Sequence, residues 1–474
     1  MIRSPRQLHI LDKDLDRLSA AEQAGSQSMR PLARVGLAVL FVAVVVVIAV
    51  AALPQATTGQ VTVLAGVALA AYLALAIGAN DVSNSLAPAV GARAIGIGTG
   101  LALVATAEIA GAVLAGRKVS ATLSLGIVDP RQMLAGGSAA PVMLAALLAA
   151  AIWVNIATWA GAPVSTTHSV VGGIAGAGMA AFGATAVNWP GIAMIAGGWI
   201  VSPLASGALA AGLLALIRQK IDDAPERDRA ARRWLSGMIG TMAALAAGIL
   251  LGGHLGQQTA VTLGAMAGAG GAATLAARRH MARRFASAGE VRAKSRDLFG
   301  LPLVLVAVLM GFAHGANDSS NVTAPLWLIL EASGEQGSAF APGWIFLLAG
   351  GGLALGALLF GRRLVVVVGS RITRLNPVRA FCVSLATGTV VLAASWQGLP
   401  VSTTHVAVGG IFGVGFFREW DDARRHRRYK QLPVEETHRR TLVRRAHVRR
   451  ILLAWAITLP ASAALAALFS AAMQ

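Results

Sequence analysis

The chain has 474 residues, of which 56% are hydrophobic and 13% are charged, and its mean hydropathy is +0.66. Soluble domains carry roughly 25% charged residues, so this composition excludes an ordinary soluble domain. Many apolar stretches exceed the ~18 residues that a helix needs to cross a bilayer, and they lack the alternation of membrane strands. We therefore predict an all-α polytopic membrane protein.

The net charge of +19 is compatible with nucleic-acid binding, but the positions of the basic residues favour another explanation. Of the 40 Lys and Arg residues, 36 lie in five segments: 1–34, 218–235, 278–296, 361–379 and 418–450. These segments lack the regular aromatic interleaving that base stacking uses. Basic loops of membrane proteins face the cytoplasm, so we expect these segments inside the cell and no nucleic-acid partner.

Thirteen apolar segments follow one another along the chain, and we expect about 12–13 transmembrane spans. In chain order they are 35–53, 61–95, 97–116, 139–160, 163–183, 189–217, 236–253, 258–277, 299–330, 343–368, 380–397, 400–417 and 451–472.

Two polar motifs occur twice within these apolar segments. GANDVSN at 78–84 returns as GANDSSN at 315–321, and PVSTTH at 163–168 returns at 400–405. Each second copy lies 237 residues after the first, so the chain contains a duplicated unit. Polar clusters at membrane depth are costly and mark functional sites, and transporters place one such site where two repeats meet.

The duplication and the charge pattern together predict the domain organisation. We expect a cytoplasmic N-terminal tail (1–34), an extra N-terminal span (35–60), a first repeat (61–217), a linking pair of spans with basic loops (218–298), and a second repeat (299–474) that includes the cytoplasmic basic loop 418–450. With the tail inside, the first repeat starts outside and the second starts inside. This arrangement is an inverted-topology repeat.

The GAND motifs indicate a cation site. Gly, Asn and Asp are poor helix formers, so we predict that a helix breaks at each motif. A helix end at such a break carries negative partial charge on its free carbonyl groups. Together with Asp81 or Asp318 and an Asn side-chain oxygen, these carbonyls would form an oxygen cage for a small cation such as sodium.

The PVSTTH motifs indicate an anion site. Pro163 and Pro400 should end the preceding helix, which places the hydroxyl residues at the N-terminus of the next one. Hydroxyls and free N–H groups at a positive helix end bind anions. The hydroxyl residues are Ser165, Thr166, Thr167, Ser402, Thr403 and Thr404. Neither motif contains Lys or Arg, so dipoles and neutral donors would hold the anion.

Glu108 and three histidines lie within the apolar segments and have two interpretations each. Glu108 is either a coupling-ion or proton group, or a buried acid that holds a neighbouring helix. His168, His314 and His405 either relay protons or fix the broken helices by hydrogen bonds.

The doubled GAND and PVSTTH motifs resemble those of the inorganic phosphate transporter (PiT) family of phosphate permeases, over residues 61–472. The resemblance implies two inverted repeats with broken helices, cation-coupled phosphate uptake and commonly a dimer. It implies cation ligands at Asn80, Asp81, Asn317 and Asp318, and phosphate contacts at the six Ser and Thr residues above. We further expect Asn84 and Asn321 to be sodium ligands, and Asp81 and Asp318 to contact phosphate. Glu108 matches the position of a functional glutamate in many members, whereas its second-half counterpart is absent here.

The expected function is therefore secondary active symport of inorganic phosphate, coupled to sodium, by alternating access in the cell (plasma or inner) membrane. We expect no cofactor besides the coupling ion. The expected partners are phosphate, sodium or a proton, the lipid bilayer and a second copy of the chain.

Three alternatives remain open. A proton- or metal-phosphate symporter and a sulfate permease would share the fold, because phosphate and sulfate are both tetrahedral oxyanions. A membrane-embedded hydrolase or transferase would use Ser165 with His168, but the sequence has no nucleophile elbow. We therefore expect a transporter and not an enzyme.

Overall fold

The computed structural model describes residues 31–52, 59–135, 139–159, 164–254, 259–287, 295–333, 343–369, 376–426 and 445–473. Helices dominate these residues, and the β-structure found among them is one isolated bridge between Val128 and Val187. The prediction of an all-α polytopic membrane protein is confirmed.

The helices are numbered here in chain order. They are α1 (Pro31–Ala52), α2 (Gln60–Gly91), α3 (Ile97–Ala115), α4 (Arg117–Leu125), α5 (Pro130–Ala135), α6 (Ala139–Trp159), α7 (Thr166–Phe182), α8 (Trp189–Ile217), α9 (Arg227–His254), α10 (Thr259–Ser287), α11 (Ser295–Asp318), α12 (Ser320–Ala332), α13 (Gly343–Val367), α14 (Pro377–Trp396), α15 (Thr403–His426) and α16 (Arg445–Met473).

Eleven helices in the described part of the chain are long and apolar enough to cross a membrane, with α11 and α12 counted as one. Two predicted spans, 163–183 and 400–417, are not among these membrane-length helices. They correspond to α7 and α15. The 17 residues of α7 rise about 26 Å, which is less than the ~30 Å of a bilayer's hydrocarbon core. Both helices begin at a buried PVSTTH motif instead of a membrane surface, which accounts for their short apolar length.

The helices pack through small residues, as is common in membranes. A Cβ atom on Gly78 of α2 would collide with the carbonyl oxygen of Leu353 in α13. In the second copy, a Cβ atom on Gly315 of α11 would collide with the carbonyl oxygen of Glu108 in α3. Gly315 lies 237 residues after Gly78, so both copies use the same close crossing to position the GAND motif.

The predicted helix break at the first GAND motif is wrong, because α2 continues without interruption from Gln60 to Gly91. In the second copy the interruption is one residue, Ser319, between α11 and α12. Asp81 does not unwind the helix because its carboxylate accepts from Thr166 and Thr404 on other helices instead of competing for its own backbone. The breaks before α7 and α15 are where the PVSTTH motifs predicted them.

Several predictions concern residues outside the described ranges. These are the tail before residue 31, Pro163 at the start of the first PVSTTH motif, and the part of the basic loop 418–450 that spans 427–444. The domain boundaries stay predictions.

Candidate functional site

The four motifs meet in the interior of the helical bundle. In the first copy, the Thr166 hydroxyl of α7 donates to Asp81 Oδ2 in α2 at 3.3 Å. In the second copy, the Thr403 hydroxyl of α15 donates to Asp318 Oδ2 in α11, also at 3.3 Å. Each GAND carboxylate is thus bound to the PVSTTH helix of its own copy, 85 residues further along the chain in both cases.

Contacts between the copies join these two halves into one cluster. The Thr404 hydroxyl of the second copy donates to Asp81 Oδ1 of the first at 3.3 Å. Asn84 Nδ2 in turn donates to Thr404 Oγ1 at 3.0 Å. In the corresponding contact, Asn321 Nδ2 of the second copy donates to Thr167 Oγ1 of the first at 3.5 Å. The structure therefore brings the duplicated motifs together at a single place.

The N-termini of α7 and α15 offer free hydrogen-bond donors beside the carboxylates. Ser165 caps α7 by accepting from the backbone N–H of His168 at 3.2 Å, and Ser402 accepts from His405 N–H at 3.4 Å. The first bond of the α7 ladder runs from Ser169 N–H to the Ser165 carbonyl. The N–H group of Thr166 therefore precedes the ladder and has no acceptor within the helix. These are the groups with which a helix N-terminus binds an anion.

The asparagines of the two GAND motifs have different surroundings. Asn317 holds the segment before α15, because its Nδ2 donates to the Val401 carbonyl at 2.6 Å and its Oδ1 accepts from Val401 N–H at 3.1 Å. Asn80 Nδ2 donates to Asp81 at 3.3 Å. Asn321 Oδ1 is buried and has no hydrogen-bond partner within the described residues. Such an unpaired buried acceptor is suited to a bound cation.

Three buried ionisable side chains continue from the cluster into the protein. Glu108 Oε1 of α3 lies 2.7 Å from His314 Nδ1, and His314 Nε2 lies 2.8 Å from Asp318 Oδ2. All three side chains are fully shielded from solvent. One ligand atom each of Asp81, His314 and Asp318 lies within 4.8 Å of the others, a spacing that would suit a metal ion. Glu108 therefore reaches the carboxylates through an imidazole ring and not directly.

The two motif histidines lie in an aromatic stack at the junction of the copies. The His168 ring packs on Trp199 with 3.8 Å between centroids, and the His405 ring packs on Trp455 at 3.4 Å. The two imidazoles meet edge to face at 4.6 Å. Trp199 also donates from Nε1 to the Pro400 carbonyl at 3.1 Å. These contacts are ring packing, and both ring nitrogens of His168 and Nε2 of His405 have no hydrogen-bond partner among the described residues. The two interpretations of these histidines therefore stay predictions.

The predicted site residues differ in solvent exposure between the copies. Asp81, Asp318 and the Ser and Thr residues of the motifs are buried, with the exception of Thr404. Asn80, Asn84 and Thr404 are half-buried, whereas their counterparts Asn317 and Asn321 are buried. The cluster is therefore less enclosed around the first GAND motif than around the second.

A comparison with protein-family models matches residues 77–466 to the phosphate transporter family. The chain belongs to this family. The match spans both pairs of motifs, so the phosphate transporter resemblance predicted from those motifs is confirmed. Family membership makes the chain a phosphate transporter and a multi-pass membrane protein, and not an enzyme.

Individual relatives agree with this assignment. A Helicobacter pylori protein named as a candidate phosphate permease is 37% identical over 421 residues, which cover 87% of this chain and 79% of the relative. The chloroplastic inorganic phosphate transporter 2-1 of Arabidopsis thaliana is 30% identical over 441 residues, or 84% of this chain and 70% of the relative. A solved structure described as the sodium-dependent phosphate transporter superposes with a TM-score of 0.78 at 29% identity, covering 87% of this chain and 98% of its own.

Two features of this family member's site were not predicted from its sequence. Glu108, His314 and Asp318 were each noticed, but their chain of contacts was not, because Glu108 lies 206 residues before His314. The pairing of His168 with Trp199 and of His405 with Trp455 was also missed. A comparison of the repeats beyond the motifs would have pointed to these tryptophans, since each lies in the last helix of its repeat, α8 or α16.

Proposed function

We propose that this phosphate transporter is a secondary active symporter that carries inorganic phosphate together with sodium by alternating access. The observation that supports the proposal is the contact of the PVSTTH hydroxyls with the GAND carboxylates, Thr166 with Asp81 and Thr403 with Asp318. A phosphate held by the helix N-termini would lie next to two carboxylates.

Electrostatics makes such a site dependent on cations. Two like unit charges ~4 Å apart repel by about 4 kcal/mol at an effective dielectric constant of about 20. A phosphate beside Asp81 and Asp318 is therefore bound weakly unless cations lie between the charges. The carboxylate, amide and hydroxyl oxygens of the cluster are hard ligands of the kind that transporters use for sodium. Coupling follows because neither ion binds well without the other.

The difference in exposure between the copies supports alternating access. The half-buried residues Asn80, Asn84 and Thr404 leave one approach to the cluster, while the buried Asn317 and Asn321 close the equivalent place in the second copy. In an inverted repeat, exchange of these two arrangements would open the site to the opposite side of the membrane. We place the transporter in the cell membrane as a homodimer, both of which remain part of the proposal.

Proton coupling is a second candidate, favoured by a specific observation. The buried contacts of His314 with Glu108 and Asp318 provide groups that exchange protons next to the proposed cation ligands. This arrangement would let a proton take the place of one cation during transport.

Uptake of labelled phosphate into proteoliposomes tests both candidates, with sodium and proton gradients imposed separately and sulfate as competitor. We expect an inward sodium gradient to drive accumulation and excess sulfate to leave it unchanged. Accumulation driven by a proton gradient alone, in the absence of sodium, would replace the sodium proposal with the proton one. Competition by sulfate at the same affinity would overturn the assignment of phosphate as the selected anion.

A further inference from the structure

The linking hairpin of α9 and α10 contains a basic cleft that the transport site does not use. The two helices pack closely, since a Cβ atom on Gly270 would lie 3.1 Å from both the Gly240 carbonyl oxygen and the Ala244 side chain. The cleft opens about two helical turns from this crossing. It has a volume of about 640 Å³ and is lined by Arg229, Arg232, Arg233, Arg278, Arg279 and Ala282.

Five guanidinium groups thus share one small space. Arg229 also pairs with Glu226 at 3.0 Å, and both side chains of this pair are largely exposed. The described residues that line the cleft include no acid. Like charges at neighbouring positions on helices destabilise the folded state. An anion in the cleft would relieve the repulsion among the remaining four arginines, for which the described residues show no acidic partner.

A second basic cluster shows how the protein balances arginines internally. Arg218 binds Asp421 and lies 3.9 Å from Asp422, and Arg418 binds Asp422 at 3.3 Å. Arg218, Arg418 and Asp422 line a smaller cleft of about 330 Å³, which Asp222 and Arg379 also line, so that arginines are interspersed with acids. The cleft of the linking hairpin lacks this alternation, which suggests that its counter-charge is a ligand.

The position of the cleft indicates which anion it receives. It lies at the end of the apolar parts of α9 and α10, where a membrane helix passes from hydrocarbon to water. Along α10, the exposed side chains leading towards it include Leu275, and further along Val261 and Leu263. A ligand with both a phosphate group and acyl chains fits such a surface, and basic pockets between membrane helices bind such headgroups.

We propose that the arginine cleft between α9 and α10 binds the headgroup of an anionic phospholipid, with its acyl chains along the exposed side of α10. The doubly charged headgroup of cardiolipin matches the four arginines best. By the charge distribution of the loops, the bound lipid belongs to the cytoplasmic leaflet. The lipid would neutralise the cleft and hold the two helices of the linking hairpin together.

The test uses the full-length protein, purified and delipidated in detergent. Binding of cardiolipin and of phosphatidylcholine is measured by native mass spectrometry and by the shift in melting temperature. The test variant combines Arg232→Gln, Arg233→Gln, Arg278→Gln and Arg279→Gln. The control combines Arg362→Gln and Arg363→Gln, an exposed adjacent pair near the end of α13. A variant with Lys at the same four positions serves if the Gln variant does not fold.

We expect cardiolipin, but not phosphatidylcholine, to bind and stabilise the wild-type protein and the control. The four-arginine variant should bind it at least about tenfold more weakly, since each basic residue near a membrane surface contributes ~1 kcal/mol. The variant with four Lys residues keeps the positive charge but lacks the planar guanidinium groups, so it should retain part of the affinity for cardiolipin. Equal cardiolipin binding by the wild type and the four-arginine variant, or equal loss in the control, would overturn the proposal.

Inorganic phosphate is tested in parallel, because it shares the chemistry of the headgroup. If phosphate displaced cardiolipin from the wild type and stabilised it through the same four arginines, the cleft would be a site for free phosphate and the lipid assignment would be wrong. If inorganic phosphate still stabilises the four-arginine variant, that stabilisation comes from the transport site. This result would support the proposal that the two sites are separate.

Discussion

Asp81 and Asp318 connect the proposed cation and anion sites at the level of single residues. Asp81 accepts from Thr166 of its own copy and from Thr404 of the other, so one carboxylate touches both PVSTTH helices. Asp318 accepts from Thr403 and also contacts His314. The charge of these two groups, more than their size, should therefore determine whether phosphate binding depends on a cation.

Replacing either carboxylate by its neutral isostere tests this role. We expect Asp81→Asn and Asp318→Asn to abolish sodium-driven phosphate uptake while the protein still inserts and elutes as a single species. The reason is that each substitution removes the charge that compensates a bound cation. Phosphate uptake and the amount of incorporated protein are measured in the same proteoliposomes. Near-normal uptake with unchanged sodium dependence in both variants would contradict the proposed cage.

The PVSTTH threonines are tested by removing one hydroxyl at nearly constant shape. Thr166→Val and Thr403→Val should each weaken phosphate binding by ~1.5–3 kcal/mol, or roughly 10- to 150-fold, because a charged acceptor loses a donor. Affinity is measured from the phosphate dependence of uptake. Thr387→Val is the matched control, since among the described residues the buried Thr387 hydroxyl donates to the Val383 carbonyl in its own helix, at 2.8 Å. Unchanged affinity in both site variants would place the anion elsewhere.

At the scale of helices, close crossings set the position of the motifs. Gly78 and Gly315 allow α2 and α11 to approach the carbonyl groups of α13 and α3. The crossing of α11 with α3 also brings Glu108 within reach of His314. A helix end near the site is fixed in another way, since Lys118 Nζ donates to the Trp396 carbonyl at the end of α14 at 3.2 Å. This contact gives a local role to a basic residue that lies outside the five basic segments.

Adding one methyl group to the glycine at each crossing tests whether glycine is needed there for close helix packing. Gly78→Ala and Gly315→Ala each force two backbones apart, and we expect a stability loss of about 1–3 kcal/mol, seen as a lower melting temperature in detergent. Gly351→Ala in α13 is the control, because a Cβ atom there has no neighbour within 4 Å. It should be neutral or slightly stabilising, since alanine favours a helix. A melting temperature that falls equally in all three variants would argue against the close crossings.

At the scale of the whole molecule, the central question is the relative orientation of the two repeats. Matching contacts occur in both copies, as the Thr166–Asp81 and Thr403–Asp318 pairs show. The distribution of basic loops predicts that the copies enter the membrane from opposite sides. An inverted arrangement would let both GAND motifs face one midplane site.

Accessibility of single cysteines tests this topology. On a Cys382→Ser background, cysteines replace Gly183 and Gln431, which lie in equivalent connections of the two repeats; Gln431 is outside the described residues. An impermeant thiol reagent applied to intact cells should label Gly183→Cys and spare Gln431→Cys, because only the latter lies in a loop rich in basic residues. The native Cys382 is buried, and its replacement removes the background labelling that this thiol could give.

A third cysteine provides the reference for sidedness. Gln257→Cys, between the two linking spans and also outside the described residues, should label from outside. Labelling of Gly183→Cys and Gln431→Cys from the same side would mean parallel repeats, and the proposal of a shared midplane site would then have to be abandoned.

The sequence by itself determined the class of the protein and the residues of its candidate site. Apolar run length identifies membrane helices, because a bilayer requires a fixed number of residues to cross. The two pairs of motifs at one offset identified the duplication and the family. The helix N-termini at Thr166 and Thr403 were also predictable, since a Ser cap after a Pro is a local signal.

Only the tertiary structure decided how these parts combine. It showed that α2 passes unbroken through the first GAND motif, because Asp81 finds partners on α7 and α15 that no local pattern reveals. It also joined Glu108 to Asp318 through His314, across more than 200 positions of sequence. Propensity and periodicity describe neighbours along the chain, whereas these contacts depend on which helix faces cross, and that is decided by the packing of the whole bundle.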